Sequence, residues 1–351
     1  MPLIYLYKRL FKFFNMKQLF WGFLVFLLIS CRGNDLETGV YTNIQANDSL
    51  TFFVGLPVDM ELYKDYLFVY DFFGENGLIS VVDSFRDSTL FSFLNTGGGP
   101  DEVVSLSNLD IFSDQGRNLF GIFDVNTKRY RSYATDSIFT NQANLNPVLD
   151  RNVNVSYSIN ELYKTNRGYV ATGFFPDGKF AIMNDSLELI YYGAEYRPQE
   201  NKNFSKVLHA QANIGKSQLS PDRKWLANVI FHAGVVEFYN LETDTIVKKW
   251  EFVKDELDYT VKNGRNIHNK GVEGFISVDV TEQNVFALYA GEVSDPDAIA
   301  TYGKYVYQFD FDGNLIHIYE LDRKVLDIRI EGNNLKAIAH NPEPIVVSYE
   351  L

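Results

Sequence analysis

Short segments rich in β-branched and aromatic residues recur along this chain from about residue 50 onward. The clearest examples are residues 66–70, 119–123, 169–175, 235–239, 285–289 and 345–349. Asn, Asp, Gly or Pro bounds each segment, which is typical of strands joined by turns. After residue 30, no segment combines ten or more residues of helical periodicity with capping residues. The pattern predicts an all-β protein.

A weak repeat runs through these segments. An aromatic or apolar residue followed by Asp or Asn and a turn recurs at Asp71, Asp124, Asn184, Asn240 and Asp310, in steps of 53, 60, 56 and 70 residues. An Asx side chain starts a turn by bonding its own backbone. Repeats of about 40–55 residues, each a small antiparallel sheet, are typical of β-propeller blades. The unequal steps allow some matches to fall on different hairpins of their blades.

The end of the chain predicts how such a ring would close. Residues 325–351 supply three strands (VLDIRI, LKAIAH and IVVSYEL), one fewer than a blade needs. We expect the fourth strand from the N-terminal segment near residues 38–54, because pairing both chain ends leaves no free sheet edge. Six blades in this chain would be longer than usual, and the surplus residues are expected to form loops in the polar stretches 196–218, 254–274 and 291–304.

Three motifs carry a resemblance to a known family. The turn Thr96–Glu102 (TGGGPDE), the strand 286–291 (FALYAG) and the pattern in 306–321 (VYQFDFDGNLIHIYEL) are similar to those of the TolB-like, six-bladed propeller lipoproteins common in Bacteroidetes. One departure is Val103, where the family usually has Phe. The resemblance implies a six-bladed propeller over residues 50–351 and an envelope lipoprotein. It implies no catalytic residues.

The N-terminus looks like a bacterial lipoprotein signal. Four basic residues precede the eleven-residue apolar run 19–29, which ends in Leu28-Ile29-Ser30-Cys31. A membrane-spanning helix needs about 20 apolar residues, whereas a signal peptide needs about 7–15. We therefore predict a signal peptide at 1–30, lipidation of Cys31 and a tether at 31–49. Met16 begins a compact signal by itself and is the expected true start.

The signal also predicts a location. Position 32 is Arg and not Asp, so the inner-membrane retention signal of enteric bacteria is missing. We therefore expect a lipid-anchored protein of the cell envelope, at the outer membrane. Whether it faces the periplasm or the outside is left open by the sequence.

Charge and cysteine content exclude several kinds of partner and chemistry. Four of the 32 basic residues lie in 1–30, which leaves 28 against 45 acidic residues and a formal charge of −17. A chain this acidic has no electrostatic footprint for nucleic acid or for anionic lipid head groups. Cys31 is the one cysteine, so disulfides within the mature chain, thiolate zinc sites and thiol catalysis are not expected.

Several short motifs resemble parts of known ligand-binding motifs. Gly97–Gly99 is followed by Pro100 and two acidic residues, which favours a connection between blades over a phosphate site. Gly215-Lys216-Ser217 lacks the rest of a P-loop and is interpreted as coincidence. Asp310–Asn314 (DFDGN) is predicted to be a hairpin turn, because Leu321 stands where a calcium loop needs Glu. Residues 220–224 (SPDRK) are predicted to be a structural turn.

The remaining candidates carry no metal-type spacing. The five histidines are far apart in sequence: His209, His232, His268, His317 and His340. Trp225 and Trp250 lie in predicted strands and are expected to pack within blades. The sequence therefore predicts no catalytic, cofactor-binding or metal-binding residue.

These observations favour a propeller that acts as a binding or assembly module for an envelope protein or glycan. The alternative is a calcium-dependent hydrolase, similar to the lactonase propellers, with carboxylates converging in the central channel. A structural spacer is the third possibility.

Overall fold

The computed structural model describes residues 40–351 except 51–54, 85, 87, 100, 141–144, 197–204, 244, 252–256, 269–270, 294–299 and 341–342. Six sheets follow one another around a ring. The predicted signal peptide, Met16 and Cys31 lie outside the described residues. Within the described part of the chain, no helix is long and apolar enough to cross a membrane.

The strands are named in chain order. The first two are β1 (Val40–Ile44) and β2 (Asp48–Leu50). Blade 1 contains β3 (Pro57–Tyr63), β4 (Tyr66–Asp71), β5 (Ile79–Asp83) and β6 (Ser88–Phe93). Blade 2 contains β7 (Leu106–Asp114), β8 (Arg117–Asp124), β9 (Arg129–Ala134) and β10 (Leu149–Asn152), with helix α1 (Thr135–Thr140) between its last two strands.

The second half of the ring has the same organisation. Blade 3 contains β11 (Ile159–Thr165), β12 (Gly168–Gly173), β13 (Phe180–Met183) and β14 (Leu189–Gly193), and helix α2 (Lys206–Ala212) follows it. Blade 4 contains β15 (Gly215–Leu219), β16 (Trp225–Ile230), β17 (Val235–Asn240) and β18 (Thr245–Glu251). A separate hairpin is formed by β19 (Tyr259–Lys262) and β20 (Arg265–His268).

The last two blades complete the ring. Blade 5 contains β21 (Val272–Val280), β22 (Asn284–Val293), β23 (Gly303–Asp310) and β24 (Leu315–Val325). Blade 6 contains β25 (Asp327–Glu331), β26 (Asn334–His340) and β27 (Pro344–Glu350). The predicted all-β, six-bladed architecture is confirmed, and Trp225 and Trp250 lie in strands as expected.

The N-terminal segment supplies strands to two blades. β2 pairs antiparallel with β27, with Leu50 opposite Val346, and so provides the missing fourth strand of blade 6. This confirms the predicted closure of the ring. β1 adds to the outside of blade 5 and pairs parallel with β24, with Val40 opposite His317. Residues 40–50 therefore belong to the propeller and not to a tether ending at residue 49.

The antiparallel order of each sheet defines two faces of the ring. The first strand of each blade is innermost and begins at the face that carries the connections between blades. We call this the connection face, and the opposite side, where first and second strands are joined, the turn face. The inner strands β3, β7, β11, β15, β21 and β25 lie around the axis, since neighbours among them contact one another.

The core lies between neighbouring blades. Phe68 of blade 1 and Phe120 of blade 2 stack with ring centroids 5.0 Å apart, and both are fully buried. Phe238 of blade 4 and Phe309 of blade 5 meet edge to face at 6.0 Å. Burial of such side chains contributes about 25 cal/mol per Å² of apolar surface. These aromatic contacts hold the blades together without disulfides.

The Asx repeat falls on two different hairpins. Asp71 and Asp124 end the second strands of blades 1 and 2, where each carboxylate accepts a bond from the incoming connection, Leu56 N at 2.6 Å and Val104 N at 2.8 Å. Asn184 instead directly follows the third strand of blade 3, and Asn240 and Asp310 end the third strands of blades 4 and 5. Asp310 accepts from Asn314 N at 2.8 Å, which confirms the predicted hairpin turn.

The Gly-rich motif lies in the connection between blades 1 and 2, as predicted. Glu102 Oε2 accepts a hydrogen bond from Gly99 N at 2.7 Å and so folds the loop on itself. Gly97 has a φ of 158°, and a Cβ there would lie 2.0 Å from Glu102 Oε2. A larger residue here would displace the Glu102 carboxylate and strain the backbone, which favours glycine.

Candidate functional site

Among the described residues, inner-strand side chains link five of the six pairs of neighbouring blades around the channel, all but blades 4 and 5. Asp59 of β3 accepts a hydrogen bond from Leu109 N of β7 at 3.3 Å, and Glu161 of β11 accepts from Ser217 N of β15 at 3.0 Å. The remaining bonds of this kind are Asn108 to Leu162 N, Asp110 to Lys164 N, Asp279 to Ile330 N, and Asp327 to Met60 N. A buried carboxylate that accepts backbone bonds is stabilised in its charged form. The sequence pattern did not predict these hydrogen bonds between blades.

Two cations lie among these carboxylates. Lys216 of blade 4 reaches across the axis, with Nζ 2.9 Å from Asp59 Oδ1 in blade 1 and 2.7 Å from Asp327 Oδ1 in blade 6. Arg329 bonds Asp59 Oδ1 at 2.8 Å and approaches Glu61 Oε1 to 3.4 Å. We call the residues that meet here the channel network: Asp59, Glu61, Asp110, Glu161, Lys216, Arg223, Asp279, Asp327 and Arg329.

The protonation of the network follows from burial and from distance to the cations. Burial alone would raise the pKa of Asp327, but Arg329 and Lys216 outweigh it and lower that pKa to about 2. Glu61 and Glu161 are less well compensated, so burial raises the pKa of each to about 7. Burial also raises the pKa of Asp279. The two glutamates therefore titrate near neutrality inside the channel.

Two more side chains of blade 4 span the channel below Lys216. Gln218 Nε2 donates to Glu61 Oε1 of blade 1 at 2.7 Å. Arg223, from the turn that joins β15 to β16, reaches Asp110 of blade 2 at 2.5 Å and also bonds the carbonyl of Ile111. The segment 220–224 is a turn, as predicted, but it also connects two blades that are not neighbours. The channel is thus crossed at three levels by side chains.

Three of the five histidines come together at the connection face of blade 4. The rings of His232 and His268 lie 3.9 Å apart, and His232 Nδ1 is 3.4 Å from Glu273 Oε2. His209 Nδ1 is 2.5 Å from Tyr259 Oη, which ties α2 to the β19–β20 hairpin. Burial and then His232 lower the pKa of His268 to about 4. Sequence spacing gave no sign of this histidine cluster.

The other two histidines lie elsewhere. His340 contacts Tyr302 with ring centroids 5.8 Å apart, and His317 lies on the outer strand of blade 5. Within the part of the chain that the structure describes, no three His, Cys, Asp or Glu side chains are arranged to hold a metal ion. The space between the channel carboxylates is instead taken by Lys216 and Arg329.

An open groove of about 230 Å³ lies between blades 3 and 4 at the turn face. Its apolar lining is formed by Tyr169, Val170, Ile182, Ile190, Tyr191 and Leu241, and its charged lining includes Arg167, Lys224 and Glu242. We call it the blade 3–4 groove. Its outer wall is β14, where Leu189, Ile190 and Tyr191 are 38%, 57% and 40% exposed.

The sequence matches the family described as TolB-like 6-blade propeller over residues 39–333, which is most of the chain. The chain belongs to this TolB-like propeller family. The channel network and the blade 3–4 groove are thus features of a TolB-like propeller. No curated protein matches the sequence.

Two solved structures share the fold of this TolB-like propeller. A protein of Bacteroides fragilis, named as a candidate exported protein (BF0058), superposes with a TM-score of 0.55 at 12% identity, over 90% of this chain and 99% of the other. A member of the DUF4221 family from Bacteroides vulgatus gives 0.57 at 10% identity, over 88% and 95%. At these identities the likeness shows the fold alone.

A sequence signal for the channel network exists in retrospect. Charged residues alternate with apolar residues in first strands, as in Val58-Asp59-Met60-Glu61 of β3 and in Asp327-Ile328-Arg329 of β25. Such residues are rarely buried without partners. The partners themselves lie 111 and 157 positions away from Lys216 and could be found only from the closed ring.

Proposed function

We propose that this protein is a lipid-anchored envelope protein whose propeller binds an extended segment of a partner protein along β14. The lipid anchor is proposed at Cys31, on the outer membrane. The signal-like pattern of residues 17–31 supports the anchor, and the name of the similar B. fragilis protein agrees with export. The apolar edge of β14 beside the groove carries the binding proposal.

Four of the other five outer strands of the ring are covered by a further strand or carry charged residues, as β18 does with Lys248 and Lys249. β24 is covered by β1, and β27 is covered by β2. β10 carries Asp150 and Arg151, and Asp150 is paired with Arg129.

The fifth, β6, carries no charge but exposes one large apolar side chain, Leu90, against three on β14. In the described part of the chain, β14 has β13 as its one sheet neighbour and carries no charged residue. An apolar strand at a sheet edge is a template for pairing with another chain.

The chemistry of this edge fits an extended peptide. Main-chain groups of an edge strand provide affinity, and adjacent pockets accept alternate side chains and provide specificity. The blade 3–4 groove is smaller than the ~300–1,000 Å³ typical of sites for drug-sized ligands, but it can hold side chains of an adjacent strand. Parallel addition of β1 to β24 shows that this ring accepts an extra strand on a blade.

The channel favours a binding module over the calcium-dependent hydrolase. Carboxylates do converge there, as that alternative requires, but Lys216 and Arg329 lie between Asp59 and Asp327 at 2.7–3.2 Å. Side chains that cross the axis at three levels also leave the faces and the outer edges as the accessible surfaces. This arrangement supports a structural role for the channel network.

The anchor is tested by Cys31→Ser. We expect the variant to remain an unprocessed precursor that takes up no labelled palmitate, because the acylated thiol is missing. Normal palmitate incorporation in this variant would reject lipidation at Cys31.

The binding proposal is tested by a photo-crosslinking amino acid placed at position 190 in intact cells. Position 148 is the matched control, because Val148 is also an exposed aliphatic residue at the outer edge of a blade, at 45% exposure. We expect crosslinks from position 190 to map to one segment of one protein. The probe at position 148 should not crosslink to that protein. Ile190→Lys should reduce recovery of that protein about tenfold or more, as for a binding hot spot, and Val148→Lys should not. Equal recovery with both variants would reject the β14 site.

A further inference from the structure

A second exposed apolar surface lies at the outer edge of blade 5. Val40 and Tyr41, at the start of β1, are 61% and 51% exposed, and Ile316 of the adjacent strand is 40% exposed. Val40 and Tyr41 are the register partners of His317 and Ile318, so their side chains point to opposite sides of the sheet. The pairing of β24 with β23 shifts register at Ile316. The three side chains therefore share the outer edge of the blade and not one side of its sheet. We call Val40, Tyr41 and Ile316 the blade 5 patch.

The position of the patch along the chain limits what can cover it. Nine positions separate Val40 from Cys31. A fully extended chain spans at most about 3.3–3.6 Å per residue, so Val40 stays within about 30 Å of a lipidated Cys31. The patch is therefore the part of the propeller that follows the anchor most closely along the chain. A tethered surface encounters its target at high effective concentration.

The local chemistry suits the interface of a bilayer. Val40 and Ile316 are aliphatic, and tyrosine is enriched where one end of a side chain is apolar and the other is hydrated. The nearest carboxylate, Glu320, is neutralised by Lys304 Nζ at 2.6 Å and accepts a hydrogen bond from Tyr41 Oη. No isolated negative charge of Glu320 is thus presented toward lipid head groups.

We infer that the blade 5 patch is the surface of the propeller that rests on the membrane. This inference depends on the proposed lipid anchor and adds the orientation of the ring. The outer edge of blade 5 faces the bilayer, and blade 2, three blades away around the six-membered ring, faces away from it. Both faces of the ring and the blade 3–4 groove remain accessible to a partner.

The mature chain offers a clean experiment, because Cys31 is its one cysteine and lipidation consumes that thiol. Val40→Cys, Ile316→Cys and Val148→Cys each introduce a single exposed thiol for an environment-sensitive fluorophore. The control position, Val148, lies beside β10 at the outer edge of blade 2. Each natively lipidated variant is placed in vesicles of the zwitterionic lipids phosphatidylethanolamine and phosphatidylcholine, so that the negative charge of the chain does not oppose the contact. Quenching by iodide in water is then compared with quenching by spin-labelled lipid.

We expect probes at 40 and 316 to be quenched by the spin-labelled lipid and to show several-fold weaker iodide quenching than the probe at 148. Adding Val40→Glu to the Ile316→Cys protein should restore iodide quenching at 316, since a charged side chain opposes contact with the apolar part of the bilayer. Adding Val148→Glu should not. Thermal melts of the variants exclude unfolding as the cause.

The outcomes separate the two proposals. Vesicle flotation is measured first: a wild-type protein that fails to float and accepts fluorophore at Cys31 rejects both the anchor and the orientation. A protein that floats, but shows equal iodide quenching at 40, 316 and 148, keeps the anchor and rejects the orientation. Stronger lipid quenching at 148 than at 40 also rejects it.

Discussion

Lys216 Nζ lies 2.9 Å from Asp59 Oδ1, although the two residues belong to opposite blades and are 157 positions apart. The same nitrogen is 2.7 Å from Asp327 Oδ1 of blade 6. One lysine therefore joins three blades across the axis of the ring. Because all three side chains are largely withdrawn from water, this contact is expected to matter far more than a surface ion pair.

Lys216→Met should destabilise the protein strongly. The substitution retains the volume of the side chain but leaves Asp59 and Asp327 with less compensation in the channel. Removing one partner of a buried ion pair typically costs about 3–5 kcal/mol. Urea unfolding at pH 7 measures the loss. Lys224→Met is the control, since Lys224 is exposed and 3.8 Å from Asp222, and its effect should stay within about 0.5 kcal/mol. Similar values for the two variants would contradict a central role for Lys216.

Glu61 and Glu161 should make stability fall as pH rises from 4.5 to 7. Burial raises both pKa values from 4.5 to about 7, so the folded state holds more protons than the unfolded state across this window. The comparison is between the Glu61→Gln/Glu161→Gln double variant and the wild type. We expect the difference in their free energies of unfolding to shift in favour of the variant between pH 5 and pH 8, by on the order of a few kcal/mol. Urea unfolding at the two pH values measures this gain.

The exposed Glu282→Gln variant is the control for that pH dependence, and its difference from the wild type should be the same at pH 5 and pH 8. If the double glutamine variant also shows a pH-independent difference, the two glutamates do not titrate near neutrality in the folded protein.

Arg223→Met should loosen the contact between blades 4 and 2. Arg223 pairs with Asp110 at 2.5 Å and bonds the Ile111 carbonyl, and Asp110 is buried. Loss of the guanidinium leaves that carboxylate without its cation, and we expect a cost of about 3 kcal/mol in urea unfolding. Arg167→Met, in the equivalent turn of blade 3, changes an exposed arginine and should have little effect. An unchanged midpoint for Arg223→Met would mean that Arg223 acts only as a turn residue.

Deletion of residues 325–351 should abolish cooperative unfolding of the whole domain. The deletion removes β25, β26 and β27, so β2 loses its partner and Met60 N of blade 1 loses its bond to Asp327. Two neighbouring blades are then left with open edges and exposed core. Calorimetry of the truncated chain measures this loss. A single cooperative transition near the wild-type temperature would show that five blades are stable without the closed ring.

The strands could be predicted from the sequence because strand formation depends on local chemistry. Alternating β-branched and aromatic residues, turn residues such as Asp312-Gly313, and the three-strand ending at 325–351 are properties of neighbouring residues along the chain. They predicted the strands, the six blades and the closing role of residues 38–54. The Asx repeat was informative for turns but fell on second strands at Asp71 and on third strands at Asn240, since both hairpin types need the same turn chemistry.

The functional surfaces were decided by the tertiary structure. Lys216 was interpreted as part of a coincidental motif, and His232 and His268 as isolated histidines, because sequence spacing contains no information on which residues meet once a ring has closed. Closure brings positions more than a hundred residues apart to one axis and leaves β14 and the start of β1 at its rim. The sequence by itself thus determined the strands, their turns and the predicted anchor at Cys31. Only the folded ring determined which charges neutralise one another in the channel and which apolar side chains remain exposed.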